Sequence, residues 1–595
     1  RLPLEGNWNF GLDPDKVGLK EKWYHYNLKD YIQIPGILQA QGYGDKINHN
    51  TPWISGLHDP LWYKREEYQG AQEDKVRVPF LSQPKAHYQG QAWYQKEFEI
   101  TSNMAGSTFE FTMECSRWKT MVWINDEYIG EVTSLCGPHR YDLGVLKKGD
   151  YKITVCIDNS FLLPYRPDGH GVSDALGATW NGIVGEVKLI GYPLIHLGDV
   201  RVYPDIDTRK VDVQIEIKNE SNTEQKVKID VAGNQTEIKA TPGNSQAKIQ
   251  VSYPMDTPLW DEFSPATLSL MVSLKSDEYE DEKEISFGFR KAHTKDGMFY
   301  INHRPTYFRG THFGGDFPLT GYPSTKVEEW KKMFETCMSY GLNFVRFHSY
   351  CPPKAAFLAA DELGFYLQVE CGMWNVFNEN SEMNIVLEKE TDLILKEFGN
   401  HPSFVMLSPS NEPGGAWEKP LTQWVADCKE KDSRHLYTIQ SGWPFSCPPS
   451  EITGTDYVYF HRSGYGIQPG GTIRNSQGWF GGDYRKSLEG IKYPVISHEM
   501  GQWCSYPNFD IIDKFTGNME ASNYMVFKDS AKKNGVLEQN KDFVYASGRL
   551  QVEMYKEDLE ANFRTPHIYG FELLDLRDYL GQGTALVGVV DAFWD

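Results

Sequence analysis

FVMLSPSNEPGG (residues 404–415) and YPVISHEMGQW (493–503) each carry an apolar run that ends on a glutamate, Glu412 in the first and Glu499 in the second. Apolar runs without polar alternation mark strands buried on both faces, as in a parallel sheet. Six further segments after residue 290 share this character: TYFRGTHF (306–313), NFVRFHSY (343–350), FYLQVE (365–370), LYTIQS (436–441), DYVYFH (456–461) and IYGFELLD (568–575). Helical stretches alternate with them. From Lys326 to Tyr340, Val327, Trp330, Phe334, Cys337 and Met338 recur at three- and four-residue steps, with Glu328, Glu329, Lys331 and Lys332 between. Eight β/α units close a barrel, so residues 290–595 are read as a (β/α)8 TIM barrel.

Such barrels place their chemistry at the C-terminal strand ends. Polar residues gather there: Arg309 and His312 on the first strand, Arg346 and His348 on the second, Glu370 on the third, Asn411 and Glu412 on the fourth. Tyr459 and His461 follow on the sixth, His498 and Glu499 on the seventh, Asp575 on the eighth. A charge ending a buried strand is costly unless it has a task. Glycoside hydrolysis supplies one, because it needs a carboxylic acid to protonate the departing oxygen and a carboxylate across the sugar. The fourth and seventh strands lie three units apart on the ring, which leaves room for a pyranose. Arg346 is expected to keep Glu499 ionised as the nucleophile, and Asn411 to hold a sugar hydroxyl beside Glu412, the acid that later turns base.

The 595 residues exceed what one hydrophobic core supports. Before the barrel, residues 1–195 and 196–289 read as short alternating strands between Gly, Asn, Asp and Pro turns. The first is an antiparallel β-sandwich, and the second has the size and strand number of an immunoglobulin-like sandwich. A net charge of −21 argues against nucleic acid and anionic membranes as partners, and no apolar stretch is long enough to span a bilayer. The nine cysteines are scattered singly, without a CxxC pair, which fits buried thiols better than disulfides or zinc. The acidic, aromatic-rich composition suits export to a periplasm or the outside, although unpaired thiols argue gently the other way.

At this point the chain resembles glycoside hydrolase family 2, the β-galactosidases, β-glucuronidases and β-mannosidases. The order of sandwich, immunoglobulin-like domain and barrel carries the resemblance, with Asn411-Glu412 on the fourth strand and Glu499 on the seventh. WNGIVGEVKL (180–189) is similar to the signature that closes the family's first sandwich, and DGMFYINHRPTYFRG (296–310) to the hairpin leading into its first barrel strand. The resemblance implies a sugar-binding-like jelly roll at the N-terminus and retention of anomeric configuration through a covalent intermediate. The substrate it implies is an oligo- or polysaccharide cut from its end, β-galactoside-like in the first instance; from this chain's own residues no cofactor or metal is expected, and a homo-oligomer is one possible state.

Departures from the family pattern bear on the substrate. After the first strand the chain reads Gly310-Thr311-His312-Phe313-Gly314-Gly315-Asp316 where the galactosidases carry a metal-holding Asn-Arg-His-Glu stretch. On the second, histidine and serine exchange places in Arg346-Phe347-His348-Ser349-Tyr350. The Asn-Lys pair that grips a uronate is missing from LLDLRDYLGQGTALVGVVDAFWD (573–595), and Asn540-Lys541 precedes the eighth strand. Arg577 keeps a uronide-active alternative open. His312, Asp316, His348, Asp575 and Asp578 are candidate hydroxyl ligands; Trp374, Tyr459, Trp503, Tyr506 and Trp443 are candidate stacking rings. Tyr459 or His461 is expected to hold the nucleophile, and His170 or Asp174 to reach the mouth from the first sandwich. The chain after Asp575 is too short for an eighth helix, which suggests a fragment or a flank covered by another chain. A non-catalytic carbohydrate-binding protein on the same scaffold remains a rival, as does a metal hydrolase using His312, His348, His461 and His498.

Overall fold

The computed structural model describes residues 1–595 except 56–58, 70–75, 176–178, 443–444 and 462–480, and except the side chains of Gln69 and His461. Residues 2–192 form two facing antiparallel sheets. One orders its strands Leu2–Pro3, Gly182–Tyr192, Thr108–Ser116 and His139–Val145, with Gly36–Ile37 also on Gly182–Tyr192. The other runs Asp30–Ile34, Gly6–Asp13, Gln91–Ile100, Gly149–Asp158, Lys119–Ile124, Glu127–Thr133. Trp8, Phe10, Tyr94, Phe111, Val122 and Ile153 fill the space between them.

Ile195–Asp205 opens a second sandwich of three- and four-stranded sheets. In Lys210–Asn219 the alternation is read out directly: Val211, Val213, Ile215 and Ile217 point inward, as a pleat of period two requires. A hairpin sheet over Ala292–Thr306 follows, and its Phe299 and Ile301 plug the bottom of the barrel against Phe308, Phe344, Tyr366, Met406 and Tyr457.

The barrel strands are β1 (Phe308–Phe313), β2 (Phe344–Phe347), β3 (Tyr366–Glu370), β4 (Phe404–Ser408), β5 (Leu436–Tyr437), β6 (Val458–His461), β7 (Val495–Gly501) and β8 (Ile568–Leu574). All are parallel, in the order β5-β4-β3-β2-β1-β8-β7-β6, which is chain order read around a circle. Side chains draw the two ends together: Thr438 Oγ1 donates to the Tyr457 carbonyl (2.9 Å) and Gln440 Nε2 to that of Tyr459 (2.7 Å).

Helices α1 (Val327–Ser339), α2 (Lys354–Leu363), α3 (Glu382–Phe398) and α4 (Glu418–Lys431) follow the first four strands, and α5 (Ser522–Lys533) and α6 (Asn540–Arg564) follow β7. Among the described residues β5 and β6 are followed only by 3₁₀ turns, so the expected alternation with helices lapses there. In α1 the buried face is Trp330, Met333, Phe334 and Cys337; Met338, expected inside, is 40% exposed. No described helix follows β8. Residues 575–595 instead fold back with Leu576, Tyr579, Leu580, Leu586 and Ala592 buried. Six of the cysteines are buried thiols, whereas Cys115 and Cys447 are half-buried and Cys504 is exposed.

Candidate active site

Arg346 is the centre of the barrel mouth. It is wholly buried on β2, where parallel strands on either side bring acids to it. Its Nε donates to Glu370 of β3 (2.7 Å), and Nη1 to Glu572 of β8 (2.9 Å) and to Glu499 of β7 (3.3 Å). Nη2 donates to Asn411 Oδ1 (2.7 Å). One guanidinium faces three carboxyl groups. Burial pushes the Glu572 pKa well above the ordinary carboxyl value, and the neighbouring Glu499 adds to this, while Arg346 opposes it.

Glu412 and Glu499 confront each other. Their carboxylate oxygens lie within 4.8 Å, with His498 in the same group. Both residues hold positive φ, 29° and 46°, in the region side chains avoid, and strain of this kind gathers at functional sites. The Glu412 amide donates to the Ser441 carbonyl (2.8 Å), tying the loop after β4 to that after β5. Glu499 is surrounded by nitrogens: His348 Nε2 and His498 Nε2 at 3.4 Å, Arg346 Nη1 at 3.3 Å, and Gln502 Nε2 at 3.3 Å from its second oxygen. Gly442, at φ 108°, leaves the space the His498 imidazole occupies. Asn411 turns Oδ1 to Arg346 and His498, and its Nδ2 is buried with no hydrogen-bond partner among the described residues.

A loop of the first sandwich completes the mouth. Arg166 donates its amide to Asn375 (2.7 Å), and its guanidinium lies over Trp374. The His170 amide donates to Ser349 Oγ (3.0 Å). The His170 ring packs on His348, 3.7 Å between centroids, and its Nε2 meets the Tyr579 hydroxyl at 2.8 Å. Asp174, the other candidate from that loop, instead accepts from the amides of Ile54 and Thr179 and holds the loop's shape. His312 Nδ1 is 3.1 Å from Asp575 Oδ2, and Asp575 Oδ1 accepts from Thr311 (2.7 Å).

Several expected ligands are turned elsewhere. Arg577 pairs with Asp316 in a buried ion pair between the rings of Phe313 and Trp594, so both are held by protein. Asp578 accepts from Tyr524 and the Gly588 amide, and burial pushes it up to about 7. The Tyr459 hydroxyl donates to Gln368 (2.7 Å), not to Glu499. In register, Tyr459 sits opposite Ile496 and His461 opposite His498, so Tyr459 lies one layer below the mouth. The Trp503 indole donates to Asp558 on α6 (2.8 Å), and Tyr506 packs against Phe509 and Phe543. Asn540 is occupied with the backbone of Pro507 and Phe509, and Lys541 points to solvent. The His461 side chain and Trp443 lie outside the described residues. Glu572, Gln502 and Gln368 were not anticipated. Glu572 carried the same signal as Glu412 and Glu499, an acid inside an apolar strand. His170, His312 and His348, which no HxH or HExxH spacing links in the sequence, place ring nitrogens within 4.8 Å of one another.

Three models of glycosyl hydrolases family 2 match in succession: the sugar binding domain over residues 2–193, the central family 2 domain over 195–290 and the TIM barrel domain over 292–446. The β-galactosidase large subunit of Latilactobacillus sakei is 23% identical over 483 residues, covering 76% of this chain and 74% of its own. A putative β-glucuronidase of Formosa agariphila is 24% identical over 435 residues, covering 68% of this chain and 50% of its own. The chain spans only 41% of the β-galactosidase of Halalkalibacterium halodurans. In three dimensions it is similar to a Ruminococcus gnavus β-glucuronidase in complex with D-glucaro 1,5-lactone. That match has a TM-score of 0.68 and 16% identity, over 99% of this chain and 94% of the other.

Proposed function

Because the chain belongs to glycoside hydrolase family 2, we propose that its barrel mouth removes a terminal β-linked sugar with retention of configuration. The observation that carries this reading is the approach of the Glu412 and Glu499 carboxylates to within 4.8 Å. Retaining enzymes hold their two carboxyl groups about 5–5.5 Å apart, too close for an intervening water. Glu499 attacks the anomeric carbon as the glycosidic bond breaks, and the departing oxygen takes the Glu412 proton. A glycosyl ester on Glu499 results. Glu412, now a carboxylate, takes a proton from water as that water attacks the same carbon, which releases Glu499. Three nitrogens face one Glu499 oxygen and Gln502 Nε2 the other, so that both are held in place, with the Arg346 guanidinium 3.3 Å away. Asn411 Nδ2 supplies a buried donor for a sugar hydroxyl.

For the sugar we favour a neutral, galactoside-like pyranose, because Arg577, on which a uronide reading rested, is committed to Asp316. A panel of nitrophenyl β-galactoside, glucuronide, mannoside and glucoside tests the choice. For the reaction, a slow-turnover 2-fluoro glycoside of the preferred sugar should label the peptide bearing Glu499, and the initial product should keep its configuration by NMR. Label on another residue, inversion, or full activity of Glu499→Gln refutes the assignment.

A further inference from the structure

We propose that His170, His312 and His348 form a binding site for a divalent first-row transition metal, Zn²⁺ in the first instance, beside the nucleophile. The three imidazoles come from three places in the chain: the sandwich loop, β1 and the turn after β2. Each is no more than 2% exposed, and their ring nitrogens lie within 4.8 Å of one another. Three histidines with an open fourth position are the donor set of a Zn²⁺ ion that also receives an outside oxygen.

The outer contacts sort the nitrogens. His170 Nε2 is held by the Tyr579 hydroxyl (2.8 Å), His312 Nδ1 by Asp575 (3.1 Å) and His348 Nε2 by Glu499 (3.4 Å). That leaves His170 Nδ1, His312 Nε2 and His348 Nδ1 as ligating atoms, the last in exchange for its 3.2 Å contact with the Ser349 hydroxyl, and each ring is oriented through its other nitrogen, as metal-bound histidines usually are. His170 Nδ1 and His348 Nδ1 already stand 3.0 Å apart, near the roughly 3.3 Å between two ligands of a tetrahedral ion with bonds of about 2.0 Å. The other group of close ligand atoms, Glu412, His498 and Glu499, is a poorer site, because the Arg346 guanidinium lies 3.0 Å from His498 Nε2 and repels a cation.

Metal at His348 Nδ1 has a consequence for the neighbouring carboxylate. It keeps the proton of that ring on Nε2, the atom facing Glu499, so the imidazole donates to the nucleophile and positions it.

Uptake is read by spectroscopy and calorimetry, so its failure is a separate result from a failure of glycoside hydrolysis. The full chain, stripped with chelator and dialysed, is titrated with Co²⁺ and with Zn²⁺. One equivalent of each is expected, with the visible absorption of low-coordinate Co²⁺. His170→Ala and His312→Ala should each weaken uptake at least about 100-fold and abolish the band. Asp575→Asn should weaken it about 10–100-fold, and Glu412→Gln should leave it unchanged. Circular dichroism confirms folding; His170 lies on a loop, so its variant serves even where His312→Ala does not fold. The proposal is overturned by no stoichiometric uptake in the wild type, by uptake that survives His170→Ala, or by uptake lost in Glu412→Gln.

Discussion

Replacing Glu572 by glutamine separates the shape of this buried acid from its charge. Its carboxyl is sealed in the barrel, accepting from Arg346 Nη1 at 2.9 Å and from the Glu499 amide at 2.8 Å. Burial raises its pKa well above the ordinary value, so the folded chain holds a proton that the unfolded chain has released. Between the unfolded value of about 4.3 and the raised folded value, stability falls as pH rises, by about 1.4 kcal/mol per pH unit. The glutamine amide has no such dependence, while its carbonyl still accepts from both donors. Glu572→Gln should therefore gain on the wild type as pH rises from 5.5 to 7.0, measured by urea unfolding at the two pH values. Turnover of the preferred nitrophenyl glycoside should stay within about tenfold. Glu572→Leu leaves the buried Glu499 amide without its acceptor, at about 1–3 kcal/mol, takes one of the acceptors from Arg346 Nη1, and should be destabilised at both pH values. If wild type and Glu572→Gln run parallel with pH, or the glutamine variant is damaged as deeply as the leucine, then Glu572 is ionised in the folded barrel and the protonated assignment is wrong.

Other outcomes follow from the same contacts. Glu412→Ala should lower turnover of an alkyl glycoside by about 10²–10⁴-fold and that of a nitrophenyl glycoside far less at the glycosylation step, since a good leaving group needs no proton; equal losses would count against its role as acid. Arg577→Ala strands the buried Asp316 carboxylate and should cost about 3–5 kcal/mol in unfolding free energy, with the ratio of glucuronide to galactoside kcat/KM unchanged; a changed ratio would place Arg577 at the sugar. Tyr459→Phe removes one donor to Gln368, which keeps that of Tyr457 at 2.9 Å, so about 0.5–1.5 kcal/mol should be lost and the pH profile of kcat/KM preserved. A shifted acid limb would show that Tyr459 acts on the nucleophile.

Features carried by local pattern were open to reading before any coordinates. Alternation in Lys210–Asn219 predicts a half-buried strand, and apolar runs ending in Glu412 and Glu499 predict buried strands with a task at their ends, because periodicity and the cost of burying charge act over a few residues. Depth and partnership are different. Tyr459 and His461 share a strand and a parity, but the register of β6 on β7 sets which is level with His498. Arg577 follows Asp575 in the chain yet pairs with Asp316, 261 residues away, and His170 meets His348 across a domain boundary. Pairing among buried charges and imidazoles is a matter of which strands and loops adjoin once the ring has closed. Separation along the chain holds no record of that distance, which is why Glu412 and Glu499 were legible one at a time and the network joining them was not.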